Sequence, residues 1–335
     1  MHVPLAVTVL TVALPVTMVV AISIGAVDVP LGDVWGIVWH HVTGAGAPPA
    51  DPALDQIVWT FRTPRVVLAA VVGAGLAVTG AVLQTVVSNP LADPTVLGFS
   101  YGATLGAVLV ITLGGGAALA GLGVSAAAFL GALAAGALVF ALGQRLAPTR
   151  LVLAGVAVGY VFLSATSFVQ LRATPTELRT VMFWMLGSVA GAQWDQLPTV
   201  TAVVGVTTAL LALFGRRLNL LLAGDESATA LGVDVNRLRA LLLVLSALLT
   251  GTVIAVAGGI GFVGLMIPHL VRLTTGADHR RLLPLTALLG SVYLVLVDLL
   301  SRTLARPGEL PLGILTALLG APFFLWLLRR NKGLD

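Results

Sequence analysis

Long runs without a charged residue constrain this chain more than any other feature of its sequence. A helix needs about 20 apolar residues to cross the hydrocarbon core of a membrane, because a peptide group in lipid has no water to bond. The runs therefore predict an all-α, polytopic membrane protein. They are Val3 to Ala26, Val66 to Val87, Val96 to Leu113, Ala117 to Gly143, Leu151 to Leu171, Leu197 to Gly215, Ala240 to Val271, Leu282 to Val297 and Leu310 to Leu328.

The run from Ala240 to Val271 decides how many spans there are, because it is overlong for one span and contains Gly258, Gly259 and Gly261. Cytoplasmic loops carry an excess of Lys and Arg. With the run divided and the N-terminus inside, 12 basic residues fall inside and 6 outside; undivided, the counts are 8 and 10. We therefore predict ten transmembrane helices with both termini cytoplasmic, and one of the two divided spans is expected to be short.

The first run, Val3 to Ala26, is expected to be a retained span rather than a signal peptide. No Lys or Arg precedes it, and it exceeds the usual apolar core of about 7 to 15 residues of a signal peptide.

Small residues at four-residue spacing, such as Gly98, Gly102 and Gly106, give several helices a face without bulky side chains. Because small residues let helix backbones approach closely in a membrane, this spacing predicts a compact bundle.

Reactive and ionisable side chains are scarce. The single lysine, Lys332, is followed by glycine, so the chain lacks the G-x-x-x-x-G-K-[ST] phosphate loop, and it has no cysteine. Its 14 acidic residues are predicted in loops or at span ends, which leaves His269 as the only ionisable group well within a span. The sequence thus favours a passive pathway driven by a partner over an ion-coupled carrier or a membrane enzyme.

No catalytic residue, metal site or cofactor is predicted in this chain, and ATP is expected to bind only to a partner. The motifs H-E-x-x-H and G-x-S-x-G of metal-dependent and serine hydrolases do not occur. The net charge of +4 arises from few charges without a basic run, which argues against a nucleic-acid partner.

The largest internal hydrophilic insertion runs from Gly224 to Arg239, on the cytoplasmic side in the ten-span prediction; it is called the hydrophilic segment below. Asp225 is a suitable N-cap, and Gly232 can end a helix in the left-handed conformation, so a short helix is predicted between them. Such a helix could receive force from a soluble motor. An interfacial loop helix fits the same caps equally well.

Several long motifs occur in a fixed order along the chain. They are R-T-P-R at Arg62 to Arg65, G-A-V-L-Q at Gly80 to Gln84, N-P-L-A-D-P at Asn89 to Pro94, L-G-F-S-Y-G-A at Leu97 to Ala103, G-G-I-G-F-V-G-L-M-I-P-H-L-V-R at Gly258 to Arg272, D-H-R-R-L-L-P at Asp278 to Pro284, and E-L-P-L-G-I-L-T-A-L-L-G-A-P-F-F at Glu309 to Phe324. In this order they resemble the FecCD-type permeases, the importers of iron-siderophore, haem and vitamin B12, over essentially the whole chain.

The resemblance implies one permease domain, residues 1–335, of an ATP-binding-cassette importer in a prokaryotic inner or plasma membrane. In that family two permease subunits form the pathway at their interface, two ATPase subunits dock underneath and hydrolyse ATP, and an extracytoplasmic substrate-binding protein docks outside. The hydrophilic segment matches the part that enters a cleft on the ATPase. The matching residues are Asp225, Glu226, Ala230, Leu231, Gly232 and Val233.

Two further sites are implied by the resemblance. Asn89 and Leu91 are gate candidates, because N-P-L-A-D-P matches a cytoplasmic loop near the inner gate; an ordinary rigid turn is the alternative, since two X-Pro steps restrict its backbone. Arg62, Arg65 and Arg302 match positions that pair with acidic residues of the binding protein. Snorkelling to lipid headgroups would also explain these arginines.

The fifth span lines the pathway in the family, and Tyr160, Ser164 and Ser167 share one helical face there. Their hydroxyl groups could wet a channel, although bonding back to helix carbonyls is an equally good explanation of the serines. The expected cargo is a ferric siderophore, with haem and cobalamin as alternatives, and the choice between homodimer and heterodimer stays open.

His269, Trp184 and Trp194 are expected to have structural roles rather than roles in binding a ligand. His269 follows Pro268, and its imidazole is expected to bond a carbonyl group freed by the proline rather than to act as a ligand. Trp184 and Trp194 flank an apolar stretch that is too short to span, and both are expected to anchor at the membrane interface.

Overall fold

The computed structural model describes residues 3–25, 27–46, 51–94, 97–113, 123–143 and 148–330. Every regular element in these ranges is helical, which confirms the all-α class. A π-helical stretch, Gln56–Arg62, joins α3 to α4. The α-helices are α1 (Val3–Ser23), α2 (Leu31–Thr43), α3 (Pro52–Asp55), α4 (Thr63–Val86), α5 (Phe99–Thr112), α6 (Val124–Gly143), α7 (Pro148–Gln170), α8 (Pro175–Met185), α9 (Leu197–Leu213), α10 (Gly215–Leu222), α11 (Asp225–Ala230), α12 (Val235–Ala257), α13 (Val263–Thr275), α14 (His279–Thr303) and α15 (Leu312–Arg330).

Six helical stretches in the described ranges are long and apolar enough to cross a membrane: α1, α3 to α4 as one, α6, α7, α12 and α14. A seventh is reached if α9 and α10, which meet at a bend of 57°, count as one span. Helices α5 and α15 are apolar, but their apolar stretches are too short to count among these six. Helix α13, with 13 residues, is also too short. Each predicted span overlaps a helix, but the count of ten spans stays a prediction.

Helix α4 lies at the centre of the bundle, with nearly every side chain buried, and it packs against α9, α12, α13 and α14. The closest approaches use glycine. A Cβ atom on Gly73 would overlap the carbonyl oxygen of Gly290 in α14, and one on Gly102 would overlap that of Gly131 in α6. The predicted compact packing through small residues is therefore confirmed at these contacts.

The long apolar run is divided as predicted, because α12 ends at Ala257 and α13 begins at Val263. Gly258 has φ +68°, and a Cβ atom there would overlap the carbonyl oxygen of Trp184. The backbone at the break finds partners in the protein: Ser188 N–H donates to the Ala257 carbonyl at 2.8 Å. Non-helical backbone is tolerated at membrane depth when protein covers it in this way.

The two ends of α4 identify the two ends of the bundle, called here the Arg65 end and the Val86 end. Arg65 lies beside the C-terminal part of α14, whereas Thr85 lies beside the first residue of α14, His279. The start of α12 lies at the Val86 end, where Arg239 contacts the Val86 carbonyl. Arg62, Arg65 and Arg302 therefore lie at one end, and the hydrophilic segment lies at the other.

Candidate functional site

A buried charge cluster occupies the Arg65 end. Arg65 Nε donates to Asp298 Oδ1 at 2.9 Å, while its two terminal nitrogens donate to the two oxygens of Glu309 at 2.8 and 2.9 Å. Asp298 belongs to α14 and is fully buried, and Glu309 lies just before α15. Because the guanidinium fork fixes the direction of each bond, Arg65 holds α4, α14 and the approach to α15 in one arrangement.

Arg62 and Arg302 both cap the C-terminal end of α1, where helix carbonyls have no partner inside the helix. Arg62 donates to the Ile22 carbonyl at 2.7 Å, and Arg302 donates to the Ala21 carbonyl at 2.8 Å. Arg302 Nε also lies 3.2 Å from Asp298 Oδ2. Positive side chains at this position are favoured by the helix dipole as well as by the hydrogen bonds.

The structure does not present Arg62, Arg65 and Arg302 as free guanidinium groups, and their pairing with acidic residues of a binding protein stays a prediction. Each of the three residues is only 8% exposed, and each has internal acceptors. Snorkelling to headgroups does not describe them either, because their donors point to protein carbonyl and carboxylate groups. The three arginines connect helices within this chain.

The hydrophilic segment contains the predicted short helix, α11, at Asp225–Ala230. Its C-terminal end is closed as expected: Gly232 has φ +81°, its N–H donates to the Thr229 carbonyl, and Val233 N–H donates to the Ala228 carbonyl. These two bonds form a Schellman motif, which satisfies carbonyls that the helix leaves open. The end of α11 is therefore fixed by its own backbone.

The N-terminal end of α11 differs from the expectation. Gly224 occupies the cap position, and Asp225 is the first helical residue with no capping bond from its side chain. The Asp225 carboxylate instead accepts two hydrogen bonds from Arg239, at 2.6 and 2.7 Å. The prediction of Asp225 as N-cap was wrong because a buried arginine from α12 provides a stronger, charge-assisted partner.

Helix α11 presents most of the predicted contact residues on an open face. Leu231 is 66% exposed, Glu226, Ala230 and Gly232 are exposed, and Val233 is half-buried. Ala228 is fully buried and seats the helix on the rest of the chain. The exposed leucine therefore lies directly after a short polar helix whose buried side is Ala228. Four of the six predicted residues, Glu226, Ala230, Leu231 and Gly232, are thus exposed, and their role in contacting an ATPase stays a prediction.

The N-P-L-A-D-P loop begins where α4 ends, in a second Schellman motif. Ser88, with φ +50°, donates from its N–H to the Thr85 carbonyl, and Asn89 N–H donates to the Gln84 carbonyl at 3.0 Å. The Asn89 side chain accepts from Leu91 N–H at 2.9 Å, which is an Asx turn. Leu91 is 56% exposed. The gate role of Asn89 and Leu91 stays a prediction.

Sequence reasoning missed the contacts that join α4 to its neighbours at the Val86 end. The imidazole of His279, fully buried, lies 2.7 Å from Thr85 Oγ1 and 2.9 Å from Asn219 Oδ1 of α10. Asn219 Nδ2 donates to Asp278, and with the Arg280 N–H it holds the pKa of that carboxyl below its usual range. The pair Asp278-His279 at the start of α14 is visible in the sequence, but no local pattern predicts that these residues contact Asn219 and Thr85.

Tyr160, Ser164 and Ser167 lie on one exposed face of α7, as the predicted spacing requires. Ser167 Oγ donates to the Leu163 carbonyl at 3.0 Å, so this serine follows the back-bonding alternative. Tyr160 is the most prominent polar side chain on this face. A role of these residues in lining a pathway stays a prediction.

In the structure, His269 and Trp194 make contacts that the sequence did not predict. The buried Nε2 of His269 has no hydrogen-bond partner in the described ranges, and its ring packs edge-on to Phe323 at 6.0 Å between centroids. Trp194 stacks on Trp59 at 4.4 Å and donates from its indole N–H to the Trp59 carbonyl. His41 also stacks on Trp59, at 4.5 Å between ring centroids. Trp194, which is 37% exposed, is therefore part of an aromatic stack with Trp59 and His41.

The sequence of the chain matches the model of the FecCD transport family over residues 13–330. The chain belongs to this family. It is 44% identical to the cobalamin import system permease protein BtuC of Halobacterium salinarum, with 96% of this chain and 86% of that protein covered. It is 43% identical to the hemin transport system permease protein HmuU of Yersinia pestis, with 84% and 85% covered.

Other relatives agree with this membership. The Fe(3+)-citrate import system permease protein YfmE of Bacillus subtilis is 35% identical, with 97% of this chain and 93% of that protein covered. A solved structure of an inward-facing putative metal-chelate type ABC transporter matches with a TM-score of 0.84 at 34% identity, over 98% of this chain and 99% of that one. The chain is therefore an ABC importer permease of the FecCD family, and the recognition made from its motifs is confirmed.

Proposed function

We propose that this chain is the transmembrane permease subunit of an importer that carries a metal chelate across a prokaryotic cell membrane. It crosses the membrane ten times, with both termini and the Val86 end in the cytoplasm. Two permease subunits, two ATP-binding-cassette ATPase subunits and an extracytoplasmic binding protein make up the complex. The observation that carries the proposal is an exposed, doubly fixed helix, α11, on a chain of the FecCD family.

The ATPase contact is formed by α11 and the turn that follows it. Leu231 at the end of α11 is exposed and suits an apolar pocket, while Glu226 adds a charge at the rim. Both ends of α11 are fixed, by Arg239 at Asp225 and by the Schellman bonds at Gly232. A short helix that cannot bend at its ends transmits a displacement instead of absorbing it.

The pathway and its inner gate involve residues that are exposed in the single chain. Leu91 and Asn89 lie at the Val86 end, on a loop whose conformation is fixed by its own hydrogen bonds. Tyr160 and Ser164 lie on the exposed face of α7. In the dimer these side chains face the cargo route, and Leu91 narrows it at the cytoplasmic side.

The cargo is a ferric siderophore, or else haem or cobalamin. The relatives are named for cobalamin, hemin and ferric citrate, which are all metals enclosed by an organic ligand. A pathway with hydroxyl groups and few charges suits such bulky complexes without binding any one of them tightly. Selection among them belongs to the binding protein.

The proposal is tested by purifying the native complex through an affinity tag on this chain. We expect an ATP-binding-cassette ATPase to co-purify and to hydrolyse ATP. The cargo is then identified by presenting cyanocobalamin, hemin, ferric citrate and a ferric hydroxamate siderophore, and by measuring which one stimulates ATP hydrolysis once the binding protein is added. A chain that purifies without any ATPase, from cells that express both at native level, would contradict the proposal.

A further inference from the structure

The last turn of α4 leaves one carbonyl group for an outside donor. The Schellman bonds at this end use the carbonyls of Gln84 and Thr85, which accept from Asn89 and Ser88. The Val86 carbonyl takes no part in these two bonds and accepts from Arg239 Nε at 3.3 Å. A positive side chain at a helix C-terminus is favoured by the helix dipole. Arg239 is therefore a cap for α4 that comes from another helix, α12.

The same guanidinium group binds the first residue of α11. Arg239 Nη1 and Nη2 donate to the two oxygens of Asp225 at 2.6 and 2.7 Å. Arg239 is 7% exposed, so water competes little for its three donor groups. A bidentate arginine fixes both distance and direction, which a single hydrogen bond does not. Asp225 and Val86 are thus held on opposite edges of one rigid plane.

A second connection runs parallel to the first. Helix α10, which precedes α11, places Asn219 against His279, and His279 contacts Thr85 next to Val86. The route from the hydrophilic segment and the route from α10, which precedes it, therefore both end on the last turn of α4. The N-P-L-A-D-P loop continues directly from that turn and is joined to it by the bond from Asn89 N–H to the Gln84 carbonyl.

We propose that Arg239 is a positioning residue that links α11 to the N-P-L-A-D-P loop, so that displacement of α11 by its partner moves the loop. This inference rests on the proposed function, in which α11 contacts the ATPase. Arg239 itself touches neither ATPase nor cargo. Its role is to keep the distance between Asp225 and Val86 constant while both move, so that ATP hydrolysis and opening of the pathway occur together.

The test uses the native complex in proteoliposomes and measures the ATP hydrolysed per cargo molecule transported. In Arg239→Met we expect the ATPase to remain bound and active, while the ratio of ATP to cargo rises about tenfold because the hydrogen bonds to both Asp225 and Val86 are lost. Arg281→Met is the control at the same end of the bundle. Arg281 is an exposed arginine near the start of α14 and lies outside the hydrophilic segment, so its removal should leave the ratio at the wild-type value.

Two more variants keep the inference falsifiable if Arg239→Met does not assemble. Arg239→Lys retains the charge but cannot offer three fixed donors, so its ratio should also rise. In the exchange of Asp225→Arg with Arg239→Asp, the ion pair is restored but the donor to Val86 is lost, and the ratio should stay raised. A wild-type ratio in Arg239→Lys or in the exchange variant would overturn the role of Arg239. A wild-type complex that hydrolyses no ATP would instead count against the proposed function.

Discussion

At the scale of single residues, arginine side chains join parts of the chain that are distant in sequence. Arg65 and Asp298 are 233 residues apart, and Arg239 and Val86 are 153 apart. Each of these arginines offers several donors at fixed angles to acceptors on different helices. In a chain that is only 10% charged, several of the few charges therefore fix the relative position of the helices.

The buried cluster at the Arg65 end leads to a stability prediction. Asp298→Asn removes the fully buried carboxylate that faces both Arg65 and Arg302, and we expect it to destabilise the chain by about 3 kcal/mol, because breaking a buried ion pair leaves charge unpaired. Glu309→Gln is the matched variant. The Glu309 side chain is 44% exposed, so its loss should cost less than about 1 kcal/mol.

Thermal unfolding of the purified protein in detergent, with both variants in the same buffer, gives the comparison. The account requires the midpoint of Asp298→Asn to fall well below that of Glu309→Gln. Equal midpoints would mean that burial of the Asp298 carboxylate contributes nothing to holding α4 against α14.

At the scale of elements, the sequence predicted helices well and their partners poorly. Charge-free length located the long helices, and Gly258 with its neighbours located the break between α12 and α13, because both are local properties of the chain. The C-terminal end of α11 was likewise predicted from Gly232. The inward direction of Arg62 and the pairing of Asp225 with Arg239 were not, because each depends on a contact between elements that no local pattern encodes.

Helix α11 provides the second prediction from mutation. Leu231→Asp places a charge on an exposed position, so the stability of the isolated chain should not change, but the ATPase should be lost from the purified complex because an apolar contact now buries an unpaired charge. Leu171→Asp, an equivalent change at an exposed leucine just after α7, is the control and should retain the ATPase. Full recovery of the ATPase with Leu231→Asp would place the contact elsewhere.

At the scale of the whole molecule, the two ends of the bundle differ in how many of their polar elements are buried and how many are exposed. The Arg65 end is held by a buried ionic cluster that joins α1, α4, α14 and the approach to α15. The Val86 end carries the exposed helix α11 and the exposed loop with Leu91, joined through Arg239. Buried ionic contacts thus dominate the Arg65 end, whereas α11 and Leu91 are exposed at the Val86 end, which agrees with the proposed pathway opened by another protein.

The most direct measurement is uptake of cargo into proteoliposomes under two driving forces. With the complete complex, the account predicts uptake that requires hydrolysable ATP and does not respond to a proton or sodium gradient. This chain reconstituted alone should transport nothing under either condition, since it lacks a phosphate loop of the Walker type. Uptake by this chain alone, driven by an ion gradient without ATP, would contradict the account.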